Sequence, residues 1–184
     1  DPWGGFWVST MGKQLEKGAG SFYRYFKGEL HLICSNITIP NAICFTPDKQ
    51  FVFFADTFEG KVWRQPLSPS QGWPSGTREL FIDFKPQGLN PDGAICDANG
   101  NIWIAFWGAS NICGYNVEGQ KIGEYCFSAT QVSCPALGGA LFNELFATTA
   151  AEHLPPEQAC AEGAGKLYKV VTDIQGLPEY KVLL

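Results

Sequence analysis

The sequence predicts an all-β chain built from repeated small sheets, a β-propeller, and three observations lead there. The first is a recurring punctuation. Pro40-Asn41-Ala42-Ile43-Cys44-Phe45 returns 51 residues later as Pro91-Asp92-Gly93-Ala94-Ile95-Cys96, and a weaker copy begins at Cys134-Pro135-Ala136. The second is a displaced match of Asp1-Pro2-Trp3-Gly4-Gly5-Phe6-Trp7-Val8 to Asp97-Ala98-Asn99-Gly100-Asn101-Ile102-Trp103-Ile104, an offset of 96 and close to twice that period. The third is that the runs between these marks are short, rich in β-branched and aromatic residues, and bounded by Gly, Pro, Asn and Asp. A lone hairpin cannot bury both its faces, whereas sheets of about four strands repeated every ~40 to 50 residues pack radially and leave only short edges.

Taken in order, the chain opens with a strand around Phe6-Trp7-Val8, followed by the polar loop Met11 to Gly20. That loop leads into another strand, Ser21 to Tyr25, so its glycines are no phosphate cradle, which requires a helix to follow. In Glu29-Leu30-His31-Leu32 the alternation of polar and apolar residues predicts a half-buried strand carrying a structural histidine. Strands are expected at Ile39 to Phe45 and Phe51 to Asp56, then the Pro/Gly/Ser-rich loop Ser68 to Arg78 and a strand Leu80 to Phe84. The central hairpin joins Asn90 to Asp97 with Ile102 to Trp107 through Ala98-Asn99-Gly100-Asn101, where Asn and Gly both tolerate positive φ. Further strands are read at Asn111 to Asn116, Lys121 to Cys126, Phe142 to Thr148 and Lys166 to Val170, with Ala150 to Gly165 the one place for a short helical turn. Residues 1–184 form a single domain in this reading.

Composition narrows the function. The formal charge is −5 with only 13 Lys and Arg and no basic cluster, which argues against nucleic acid as a partner. No apolar run approaches the ~18 residues of a membrane span, so no membrane partner is expected. The chain starts at Asp1, not Met, so an upstream segment is removed or unrecorded. Seven cysteines without a Cys-x-x-Cys spacing read as reduced, mostly buried thiols and point to the cytoplasm. The oligomeric state is not legible.

Asn41 and Asp92 hold equivalent places in successive repeats, so radial packing brings them towards one axis at one end. Their hard oxygens suit Ca²⁺, Mg²⁺ or Mn²⁺, although capping of their own turns explains such residues equally well. Pro91 lacks a donor and Gly93 allows close backbone approach, which holds the Asp92 carboxylate in a constrained turn before an apolar strand. Nucleophilic catalysis has little to stand on, with no Gly-x-Ser-x-Gly and with His153 in a solvated loop. Asp56, at the end of a strand, reads as a turn cap or as support to a site.

The Pro40 to Asp48 stretch, Phe54-Ala55-Asp56-Thr57, Pro91-Asp92-Gly93 with Asp97 to Ala105, and Cys134-Pro135-Ala136 together resemble the senescence marker protein/gluconolactonase/regucalcin family. Ser9-Thr10-Met11 and Gly18 to Tyr23 carry the likeness to the first residues. The resemblance implies a six-bladed β-propeller, here an incomplete one of about four blades lacking the N-terminal blades. It also implies one divalent cation, calcium first with Zn²⁺, Mn²⁺ or Mg²⁺ as alternatives, and metal-dependent hydrolysis of a sugar lactone. Asn41 and Asp92 match metal ligands, Asp92 also matches the general base, and Glu16 falls in a substrate-side segment. Ala42 stands where the family has glycine, and a glutamate ligand and the substrate-binding Arg and Asn would lie before Asp1. The same scaffold also fits a non-catalytic calcium-binding regulatory propeller, or another ester or phosphotriester hydrolase.

Overall fold

The computed structural model describes residues 1–183, which form four antiparallel sheets. The first contains β1 (Phe6–Thr10), β2 (Gly20–Phe26) and β3 (Glu29–Ile37). The second contains β4 (Pro40–Phe45), β5 (Phe51–Asp56), β6 (Lys61–Pro66) and β7 (Glu79–Asp83). The third contains β8 (Asn90–Cys96), β9 (Ile102–Trp107), β10 (Asn111–Tyr115) and β11 (Lys121–Cys126). The fourth contains β12 (Val132–Gly138), β13 (Glu144–Thr149) and β14 (Leu167–Val171). In each sheet the strands are neighbours in sequence order, so every connection is a hairpin. Among the described residues the one α-helix, α1 (Pro156–Glu162), lies inside the stretch expected to hold a helical turn.

The strands that carry the repeated punctuation, β4, β8 and β12, face one another, with β8 packed against both others. Cores fill the spaces between consecutive sheets: Phe22, Ile37 and Phe54 between the first and second, Phe53, Phe84, Ile104 and Phe106 between the second and third, and Trp103, Ile112, Val132 and Leu145 between the third and fourth. With sheets on both sides, β9 is buried at five consecutive residues, Ile102 to Phe106, whereas the outer strand β11 has no buried residue. That gradient is why apolar runs such as Ile-Trp-Ile-Ala-Phe read as buried strands.

One carboxylate holds the central hairpin. Asp97 Oδ1 accepts the backbone N–H groups of Asn99 and Asn101, both at 2.9 Å, and Oδ2 accepts Asn101 Nδ2 and Trp103 Nε1 at 2.8 and 3.0 Å. Asp1 repeats the pattern with Trp3 N, Gly5 N and Trp7 Nε1, which gives the 96-residue match a common hydrogen-bond scheme. A buried ion pair is added there, Arg24 Nε to Asp1 Oδ2 at 2.7 Å.

Several local expectations are corrected. Of the Asn99-Gly100 pair only Gly100 takes positive φ, because the turn is the longer loop Asp97 to Asn101 closed by the aspartate. In β3 the strand and its half-buried histidine are as expected: His31 meets the Trp73 ring edge-on at 4.9 Å, while Leu30 and Leu32 on the other face are 62% and 59% exposed. Alternation gives a period, not a direction, and the loop Ser68 to Arg78 covers the histidine side. Strand β7 ends at Asp83, since Phe84 turns into the core ahead of a 3₁₀ turn at Lys85–Gln87. All seven cysteines are free, but only Cys44, Cys96 and Cys113 are fully buried, while Cys126, Cys134 and Cys160 are exposed. Among the described residues no helix is long and apolar enough to cross a membrane.

Candidate active site at two bulged strands

The candidate residues lie where two facing strands break register. In β4 the pairing with β5 shifts between Asn41 and Cys44, and in β8 the pairing with β9 shifts between Pro91 and Ala94. An extra residue in one strand bends it and re-aims the side chains beside it. The proline at the head of each motif contributes no ladder donor, which favours such an irregularity there.

The start of β4 is held from below. Asp56 is buried and accepts the N–H groups of Thr38 and Ile39 at 2.8 and 3.0 Å and that of Phe58 at 3.2 Å, so it is the cap expected of it. Thr57 N donates to Ile39 O at 2.9 Å. The Thr57 hydroxyl donates to Pro91 O at 2.6 Å and accepts Asn41 Nδ2 at 2.8 Å. These two bonds tie Asn41 of one sheet to the residue preceding Asp92 in the next.

The two bulges use small residues for different reasons. Ala42 has φ 54 and is buried, so the site where the resemblance expects glycine is a left-handed position occupied by alanine. Gly93 is outside that region, but a Cβ there would lie 2.7 and 2.8 Å from Cys134 Cβ and Cα. Close approach of β12, not backbone conformation, excludes a side chain at 93. The Asp92 carboxyl beside it is half-buried, and burial raises it from 3.8 to about 6, opposed only in part by the Gly93 N–H. Among the described residues no side-chain donor contributes to that balance.

A cavity of about 310 Å³ runs along the same strands, lined by Cys44, Ala94, Cys96 and Cys134 together with Pro178 and Glu179 of the C-terminal segment. Its lining starts at Ile43 in β4 and Ala94 in β8, two positions beyond Asn41 and Asp92. Glu16 is exposed, and its Oε2 accepts Gln14 N at 3.0 Å within its own loop. Among the described residues no group of three or more His, Cys, Asp and Glu is placed to hold a metal. The third bulge falls between Val132 and Cys134, so the polar residue there is Ser133, which precedes Pro135, and its hydroxyl pairs with Thr148 Oγ1 at 2.8 Å. Sequence reasoning misses both Thr57 and Ser133.

The donor chemistry present is two hard-oxygen side chains, an amide and a carboxylate, with a single formal charge. That set fits part of the coordination of a hard divalent ion. The thiols of Cys44 and Cys96, which would suit a softer metal, line the separate cavity.

A profile described as SMP-30/gluconolactonase/LRE-like region matches residues 1–151. The chain belongs to this family. A Rhizobium meliloti (strain 1021) protein provisionally named a sugar lactone lactonase is 39% identical over 176 residues, covering 95% of this chain and 60% of that protein. The 6-deoxy-6-sulfogluconolactonase of Pseudomonas putida is 28% identical, over 86% of this chain and 54% of its own length. Among solved structures, the calcium-binding protein regucalcin of Agrobacterium tumefaciens superposes with a TM-score of 0.95 at 36% identity, covering 100% of this chain and 62% of that one. The chain thus spans less than two thirds of the length of these relatives.

Proposed function

We propose that this chain is the part of a sugar-lactone hydrolase that carries the catalytic carboxylate, in four consecutive blades of a six-bladed propeller. The observation that carries the reading is Asp92, a half-buried carboxyl raised to about 6 by desolvation on a bulged strand that lies within the family-matched residues 1–151. A carboxylate in that range is a stronger base near neutrality than an ordinary one. It takes a proton from a water as that water's oxygen bonds to the lactone carbonyl carbon. The ring C–O bond then breaks, its oxygen is protonated, and the product is the open hydroxy acid.

Asn41 Oδ1 and Asp92 are the residues of this chain that would hold a divalent cation, calcium by the hardness of the donors. Such an ion, when bound, supplies Lewis-acid polarisation of the carbonyl. Ligation lowers the basicity of Asp92, so its two roles oppose each other, and burial works in favour of the base. Zn²⁺, Mn²⁺ and Mg²⁺ are the competing ions, and a sugar lactone is the small-molecule partner. The seven free thiols support a reducing, cytoplasmic setting.

The test is hydrolysis of an aldonolactone panel by the purified protein, above the spontaneous rate, before and after chelation and after calcium is returned. Turnover lost on chelation and restored by calcium is the expected result. Calcium uptake with no turnover of any lactone would instead favour a non-catalytic binding protein, and turnover of esters or phosphotriesters alone would move the substrate class.

A further inference from the structure

We infer that Thr57 is a positioning residue for the cation site, fixing which atom of the Asn41 amide faces the ion; this rests on the cation-site reading above. A hydroxyl has one proton to donate and two lone pairs. The Pro91 carbonyl can only accept, so the bond of 2.6 Å to Pro91 O uses the Thr57 proton. The atom of Asn41 that meets Thr57 Oγ1 at 2.8 Å must then be a donor, which is Nδ2. Oδ1 is then turned away from Thr57, and in the cation-site reading it is the oxygen offered to the ion. The flipped amide would set two acceptors against each other at Thr57 and offer N–H groups to the ion.

The relay is supported at both ends. Asp56 and Thr57 N fix the backbone at Thr38 and Ile39 just before Asn41, which holds Asn41 within reach of the Thr57 hydroxyl. Pro91 is buried and lies directly before Asp92. A single hydroxyl therefore sets the orientation of one candidate ligand and the backbone position of the other. Groups that orient ligands in this way commonly change metal affinity by ~10- to 100-fold when removed.

The experiment is calorimetric titration of the purified protein with calcium chloride, with the Asn41 side-chain amide followed by ¹⁵N NMR before any calcium is added. Thr57→Val, which keeps the shape but not the hydroxyl, should weaken calcium binding by about 10- to 100-fold, and the Asn41 amide protons should lose their protection from exchange. Thr57→Ser should stay within about threefold of wild type. Thr57→Ala replaces valine in the comparison if the valine variant does not fold. Asn41→Asp presents oxygen in either orientation, so adding Thr57→Val to it should cost no more than about threefold. An equal loss in the wild-type and Asn41→Asp backgrounds would make Thr57 a structural residue and overturn the inference. So would wild-type affinity within about twofold in Thr57→Val, a result that leaves the cation site itself standing. A wild-type protein that takes up no calcium overturns the site and the inference together.

Discussion

Asp97 and Asp92 sit five residues apart on one hairpin and are treated in opposite ways by the fold. Asp97 is buried and receives four hydrogen bonds, from two backbone N–H groups, an amide and an indole. Asp92 is half-buried, is opposed in its desolvation only by the Gly93 N–H, and is pushed up to about 6. A saturated carboxylate is a piece of the fold; a buried one short of donors costs stability and is available for chemistry. The same contrast separates Asp56, whose oxygens collect three backbone N–H groups, from the less committed amide of Asn41 nearby.

The largest effect that sharpens this contrast is expected at Asp97. Asp97→Ala leaves two backbone donors and the Trp103 indole without their acceptor and should destabilise the protein by about 3 kcal/mol or more in urea unfolding. A loss below ~1 kcal/mol would show that the hairpin holds without its cap. Gly93→Ala comes next. Its new methyl meets the Cys134 backbone, so a loss of about 1–3 kcal/mol is expected, with calcium binding falling as Asp92 is displaced.

Asp92→Asn should move stability the other way. The folded state holds this proton more tightly than the unfolded chain, whose carboxyl titrates near 3.8, so stability falls as pH rises from about 4 to about 6 and is flat above. Without calcium, the variant should be more stable than wild type by about 1–2 kcal/mol at pH 7, after allowing for solvent screening of a half-buried group, and equal to it near pH 4. A variant that is less stable at pH 7 would mean that unseen donors satisfy Asp92 after all. The smallest effect is expected at Ala42→Gly. Relief of the left-handed alanine is offset by the entropy of a new glycine and the loss of a buried methyl, leaving a change within about 1 kcal/mol in thermal denaturation.

Much of this was legible because the relevant chemistry is local. The Asp1 and Asp97 turns recur since one carboxylate caps its own next few residues, and Asn41 and Asp92 stood out because a proline precedes each at the same place in a repeat. Thr57 was not legible, because its role is a contact with Pro91, 34 residues away in another sheet. Ser133 was hidden because the third bulge lies ahead of Pro135 instead of following it. Which face of β3 is covered was not legible, because only the fold of the loop carrying Trp73 decides it. At Ala42 and Gly93 the sequence shows two small residues, but not that one is set by φ and the other by a neighbour.

The most direct measurement is made on Asp92→Asn at saturating calcium, with bound calcium and sugar-lactone turnover read on the same sample. Removing the base while keeping an oxygen donor should lower turnover by at least about 100-fold while calcium is still taken up. Turnover within about twofold of wild type, with calcium bound, would contradict a catalytic Asp92 and return it to the class of Asp97, a carboxylate that serves only the fold.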